Sequence, residues 1–253
     1  MVGSKFKAWW LVSLMALAGC AETPRSLYVD ANLAALDGDY ARAFSLFQKA
    51  AETGHADSQF KLALQYQRGE GVRRNYSFAL HWYFRAAEKG HPIAMNNIGV
   101  LVDHGNGVRA NNAQALGWFL RAASSGSATA LTNIGNYYRE GVLVARDPTE
   151  AYFWYAMSYK LGFDGALAEM GKLKPLLKKS GIEDIERRVE AYRPSVLDDL
   201  KSKLKSIIKD SPDLVVPSAQ IWTPGTMNLV AFESRPSKFH IWGQPNLETG
   251  HDH

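Results

Sequence analysis

The chain of 253 residues carries a single cysteine, Cys20, so no disulfide can form within it and stability has to come from packed side chains. A membrane span is also lacking in the apolar stretch Ala8 to Gly19, which is twelve residues long, because a helix needs about 20 to cross the hydrocarbon core. Charge of one sign is scarce. The 29 basic and 25 acidic side chains leave a net +4, which gives no argument for nucleic acid, whose recognition needs a strong basic patch. What remains is length: the roughly 230 residues behind the N-terminal stretch suffice for an extensive core or a stacked array.

The first 20 residues, MVGSKFKAWWLVSLMALAGC, place Lys5 and Lys7 ahead of the apolar stretch with no acidic residue, the order of a cleaved export signal. Leu17 to Cys20, LAGC, resembles the bacterial lipobox, in which small residues precede a cysteine thioether-linked to diacylglycerol. That resemblance implies a signal peptide over 1–19 and lipidation of Cys20. With Ala21 and Glu22 behind the cysteine in place of aspartate, it further implies transfer to the outer membrane, facing the periplasm. Several acyl chains hold more firmly than one, because each buried methylene adds about 0.8 kcal/mol. Removing 1–19 takes away two lysines and leaves 27 basic against 25 acidic side chains, a mature charge of +2.

Behind this segment the sequence repeats. Gly54, Gly90, Gly126 and Gly162 are spaced by 36 residues, with Ala43, Ala79, Ala115 and Ala151 eleven residues before them and Leu46, Trp82, Trp118 and Trp154 eight before. Ser58, Ala94, Ala130 and Ala166 follow four residues after. A fixed period between 20 and 50 residues marks a solenoid. Ala79, Trp82, Tyr83, Ala86 and Ala87 are spaced by threes and fours, one stripe of a helix that Gly90 ends as a left-handed cap. Ala94, Ile98, Gly99 and Val102 stripe a second helix, and QRGEGV and DHGNGV supply glycine loops between paired helices. Small residues at Ala86, Ala87, Ala94 and Gly99 let backbones approach, with Trp82, Trp118 and Trp154 expected to fill the wider gaps.

The run A-x-x-N-I-G, then G-x-G-V, then A-x-x-W-x-x-x-A-A-x-x-G resembles the Sel1-like repeat, a relative of the tetratricopeptide repeat with a longer internal loop. Residues 56–91 and 92–127 match well. Residues 128–163 depart at Leu143, which replaces the second loop glycine, and at Ser158 and Tyr159, which replace the alanine pair. Residues 28–55, with LDGDY as their turn, read closer to a tetratricopeptide pair and an N-terminal cap. The resemblance implies an all-α fold, an α-solenoid of antiparallel helix pairs, and a concave groove lined by the first helix of each pair. Carried over in phase, the groove residues are Asp57, Phe60, Leu64, Gln67 and Arg68, then Ile93, Asn96, Val100, Asp103 and His104, then Thr129, Thr132, Asn136, Arg139 and Glu140. Asn96 and Asn136 are expected each to hold an extended peptide by two hydrogen bonds, so that replacing both with alanine weakens binding and spares stability.

The organisation expected is a signal peptide over 1–19, a lipid-anchored tether over 20–27, repeats over 28–166, capping helices over 167–209 with a break near Ser180 and Gly181, and an irregular tail over 210–253 that docks either on the array's own groove or on a partner's sheet edge. The tail holds five of the ten prolines together with Trp222, Phe232, Phe239 and Trp242, too aromatic for a disordered linker.

Motifs of chemistry are missing. GEG at Gly69 to Gly71 and GNG at Gly105 to Gly107 extend into neither G-x-G-x-x-G nor a Walker lysine, and there is no HExxH or GxSxG. His55 and His91 lie one repeat apart, too far to share a metal, and are expected to bond helix-end carbonyls or face solvent. The terminal GHDH is a weak metal site. Asp57, Glu70 and Asp103 mark no catalytic pair. The sequence therefore reads as a non-enzymatic adaptor with no cofactor, metal or nucleic acid, holding an envelope protein or peptide. Two other readings stay open: an enzyme or glycan-binding protein with its site near Trp222 and Trp242, and an inhibitor of a secreted toxin.

Overall fold

The computed structural model describes residues 22–191, which form ten α-helices and no strand. The leader, Cys20, the helix expected to end near Lys209 and the tail with Trp222 and Trp242 lie outside the described residues. The described part falls into two compact units that divide between Asn75 and Tyr76.

The first unit holds α1 (Pro24–Leu36), α2 (Tyr40–Glu52) and α3 (Ala56–Arg68). The second holds α4 (Tyr76–Glu88), α5 (Pro92–His104), α6 (Asn112–Ser124), α7 (Ala128–Glu140), α8 (Pro148–Lys160), α9 (Gly165–Leu173) and α10 (Lys179–Glu190). Within each unit consecutive helices pack on one another as far as α9, and α10 returns onto α8. The fold is the all-α, helix-pair class that the 36-residue period implies.

The turns explain why each helix stops where it does. Gly54, Gly90, Gly126 and Gly162 all take left-handed φ between 84 and 94°. Each closes the same two-bond cap: at the second copy His91 N–H donates to the Ala86 carbonyl at 3.2 Å and Gly90 N–H to that of Ala87 at 2.9 Å. The bonds satisfy carbonyls that the helix end leaves unpaired. The next helix starts at once, and here the histidines differ from expectation. Only their backbone N–H groups bond helix-end carbonyls, while their side chains turn forward: the Nδ1 atoms of His55 and His91 accept from Ser58 N–H at 3.3 Å and Ala94 N–H at 3.2 Å and so cap the N-termini of α3 and α5. Ser127 does the same for α7 through its hydroxyl. One glycine-plus-polar dipeptide thus ends one helix and begins the next.

Two boundaries shift. Helix α1 begins at Pro24, inside the stretch read as tether, because Thr23 forms a capping box with Ser26 and proline suits the first helical position. The break in the C-terminal helices falls at a 3₁₀ turn, Lys174–Leu176, and not at Ser180 and Gly181, which lie in the first turn of α10. Pro175 contributes, since it has no N–H to donate to the preceding turn and stands inside the 3₁₀ turn, and the chain leaves helical backbone at Leu177, φ −107° and ψ 145°.

The notches between helices are filled by rings other than those expected. A Cβ on Gly99 would stand 2.6 Å from the Phe119 ring, and one on Gly135 the same distance from Tyr155. The knobs are therefore the residues that follow the tryptophans. Trp118 is buried edge-on against Phe84 at 5.3 Å with the Arg121 guanidinium 4.6 Å above its ring. Trp82 is only half-buried, beside His81 and Arg85.

Candidate functional site

The expected groove residues occupy the first helix of each pair, and the two units treat them differently.

In the second unit the polar ones are mostly spent on the fold. Asn96 is 7% exposed and its Oδ1 accepts from Asn133 Nδ2 at 2.8 Å. Its carbonyl oxygen is taken, so Asn96 is not free to hold a peptide as expected. The reason lies in packing: α5 and α7 approach closely enough for their asparagines to meet, and buried amides must be paired. Asn136 Oδ1 accepts from the Tyr155 hydroxyl at 2.8 Å. Thr132 donates to the Ser158 hydroxyl at 2.8 Å, which donates in turn to the Ala128 carbonyl at 2.7 Å. The serine that interrupts the alanine pair is thus a buried polar residue with its needs met.

Asp103 accepts from the Tyr137 hydroxyl, which also reaches the Asn112 carbonyl at 3.1 Å. Burial pushes the Asp103 carboxyl above its ordinary range, against the opposing pull of the Tyr137 bond and of His104. Burial beside that carboxylate raises Tyr137 as well, and Tyr138, buried near Glu150 and Asp147, is pushed up to about 12. His104 Nδ1 lies 2.8 Å from the Val100 carbonyl. Arg139 pairs with Glu169 at 2.7 Å and Glu140 at 2.6 Å. Burial works against its charge, but Tyr155, Glu140 and Glu169 outweigh that and hold it more firmly protonated. Thr129 shares a hydrogen bond with Ser127 at 3.0 Å. Ile93, 48% exposed, and Glu140 are the members of the set that stand exposed in this unit.

In the first unit α3 presents a different face. Asp57 and Arg68 are exposed; Phe60, Leu64 and Gln67 are half-buried. Leu64 and Arg68 line a hollow of about 180 Å³ with Asn32 of α1, Tyr40 of α2, and Lys61 and Gln65 of α3 itself. Asp57, Phe60 and Gln67 are not part of its lining. Lys61 and Gln65 were not among the expected residues, because the positions carried over from tetratricopeptide arrays do not include them. Comparison of the copies would have exposed them: Lys61 stands 36 residues before Asn97, and Gln65 36 before Leu101.

Among the described residues no three histidines, cysteines or carboxylates gather as a metal site, and no helix is long and apolar enough to cross a membrane. The scattered Asp57, Glu70 and Asp103 are not brought together into a metal-binding group.

Helices of 13 residues in antiparallel pairs, joined in phase by capped turns, define a helix-pair repeat protein. The Sel1 repeat model matches residues 32–55, 56–91, 92–127 and 128–163, more than half of the chain, and the chain belongs to the Sel1-repeat family. The match takes in the first copy, which had read closer to a tetratricopeptide pair. Two solved structures are similar. A Sel1 repeat protein from Oxalobacter formigenes is 32% identical with a TM-score of 0.50, over 64% of this chain and 69% of that one. A protective antigen present in uropathogenic Escherichia coli strains, which displays an SLR fold, is 31% identical with a TM-score of 0.55, over 64% of this chain. This chain spans 35% of that antigen's length. No curated protein matches the sequence. Repeats of this kind generally mediate protein–protein interaction, on a fold that is typically a non-enzymatic scaffold.

Proposed function

We propose that the protein is a non-enzymatic adaptor of the bacterial envelope, tied by lipid on Cys20 to the outer membrane, facing the periplasm, and holding an envelope protein or peptide along the first helices of its repeats. The observation that carries the binding role is the open hollow on α3, next to α1 and α2, in a fold where Asn96 and Asn136, the asparagines of the expected groove, are already bonded within the repeats. The anchor rests on LAGC before the unique cysteine, and on helix α1 starting at Pro24, so that the tether is three residues long.

Crosslinking in intact cells followed by affinity capture and mass spectrometry tests the binding role; one envelope protein enriched over a control lipoprotein is the expected result. Labelled palmitate tests the anchor: it should appear on the protein and vanish in Cys20→Ala. Recovery of the wild type unlabelled in the soluble periplasmic fraction would remove the anchor from the reading while leaving the scaffold untouched.

A further inference from the structure

We propose that the hollow on α3 takes the free carboxyl end of a partner's polypeptide chain, an inference that rests on the adaptor reading. Lys61, Gln65 and Arg68 follow one another at i, i+4 and i+7, so they share a face of the helix. Gln65 is 4% exposed, and its Nε2 donates to the Tyr40 carbonyl at 3.3 Å. That bond fixes which end of the amide is which, because the flipped amide would set two oxygens against each other. Its Oε1 is left buried without a partner.

The other copies show that such an orphan is avoidable. The equivalent position is Leu101 in the repeat over 92–127, apolar and buried, and Tyr137 in the repeat over 128–163, whose hydroxyl reaches the Asn112 carbonyl, the in-phase counterpart of Tyr40. At this position the repeat over 56–91 alone of the three keeps an acceptor with nothing to accept. A buried unpaired acceptor carries a desolvation penalty that a ligand donor relieves.

Lys61 supplies the opposite need. Its counterparts Asn97 and Asn133 are bonded to Tyr83 and Asn96, whereas the Lys61 ammonium has no ion pair or hydrogen bond among the described residues. Arg68 adds a second cation, paired at 3.5 Å with the half-exposed Glu70. Glu70 lines the hollow too and offsets Arg68, so the uncompensated features are the orphan acceptor of Gln65 and the Lys61 cation one turn before it, which call for a ligand that carries an N–H and a negative charge a few atoms apart. The last residue of a polypeptide has this pair, since its amide N–H and terminal carboxylate flank a single Cα. A hollow of about 180 Å³ is smaller than the roughly 300–1,000 Å³ of small-molecule pockets, which disfavours a cofactor and suits a chain end. The long, unpaired Lys61 side chain swings aside to admit the N–H to Gln65 and then closes on the carboxylate.

The test uses the full-length protein with N-acetyl-trialanine as the free acid and as its C-terminal amide, read by the ¹⁵N side-chain amide signals of Gln65. The acid should shift these signals and bind at least about fivefold more tightly than the amide, a preference that Lys61→Gln abolishes. Equal binding of acid and amide, shifts confined to residues outside α1 to α3, or no shift up to about 10 mM would overturn the inference. Crosslinking capture separates it from the reading beneath it. If the wild type and Lys61→Gln capture the same envelope protein equally while the tripeptide acid fails, the adaptor stands and the hollow does not. If the acid binds Gln65 and the wild type captures nothing, the hollow stands and the adaptor falls.

Discussion

Helix α3 of the first unit and helices α5 and α7 of the second occupy the same place in successive repeats, yet their polar side chains have different fates. On α5 and α7, Asn96 and Asn133 bond each other, Thr132 serves Ser158, and Asn136 serves Tyr155. On α3, Lys61 and the Oε1 of Gln65 have no partner among the described residues. A polar residue on a repeat's inner helix is therefore not by itself a binding residue. Whether it faces a ligand depends on whether its neighbour in the next helix has already claimed it, and that is a property of pairs and not of positions.

The difference is sharpest where packing is tightest. Phe119→Ala empties the notch at Gly99 in the second unit and should cost about 3–5 kcal/mol by thermal or urea melting. Lys61→Ala in the first unit, with no bond to lose, should stay within about 0.5 kcal/mol of the parent. Comparable losses from both would mean that the hollow is a structural joint.

Asn96→Ala tests the same contrast among polar groups. It leaves Asn133 Nδ2 without its acceptor and should cost about 1–2 kcal/mol, visible as a lower urea midpoint at unchanged slope. The helical pattern alone foretells the reverse, binding lost and stability kept, so a parent-like melting curve would restore Asn96 to the groove.

What could be read in advance, and what could not, follows from the same physics. The 36-residue glycine phase located the turns at Gly54, Gly90, Gly126 and Gly162, because a residue past a helix end needs left-handed backbone and glycine supplies it freely, while the turn at Gly38, closed by the same pair of bonds, lies outside that phase. The alternation of small and apolar residues located the buried stripes at Ala94, Ile98, Gly99 and Val102. The assignment of ring to notch was beyond it: Trp118 and Phe119 are adjacent, both buried, and only helix rotation decides which meets Gly99. The N-capping role of His55 and His91 was missed because histidine after a helix-ending glycine was read backwards, toward the helix just finished. The Asn96 to Asn133 bond joins residues 37 apart, one more than the repeat, so no in-phase alignment sets them side by side.

Leu143 offers a smaller contrast, between loops. Gly71 and Gly107 hold φ of 70 and 74°, and the third loop repeats that geometry with leucine at φ 62°. Left-handed backbone costs a side chain with a Cβ about 1–2 kcal/mol, while glycine gives part of this back through a freer unfolded chain. Leu143→Gly should therefore raise stability by about 0.5–1 kcal/mol in a melting experiment. A loss would show that the 39% exposed leucine earns its place by packing.

The smallest effect concerns the charge that the second unit buries. Asp103 has its carboxyl raised above the ordinary 3.8, chiefly by burial. A folded value above the unfolded one favours the protonated form in the native state, so this stabilisation is fully present below the unfolded value and is lost as pH climbs through the folded one. Asp103→Asn removes the titration and leaves an amide oxygen for the Tyr137 hydroxyl. The wild type's melting temperature minus the variant's should thus fall as pH rises from about 4 and level off once the carboxylate is fully ionised. Lys61→Gln, which alters a cation in the open hollow, should leave the same pH profile unmoved. A difference that grows with pH would mean that the Tyr137 bond outweighs burial, and that α5 holds Asp103 as a charge the fold wants and not one that it tolerates.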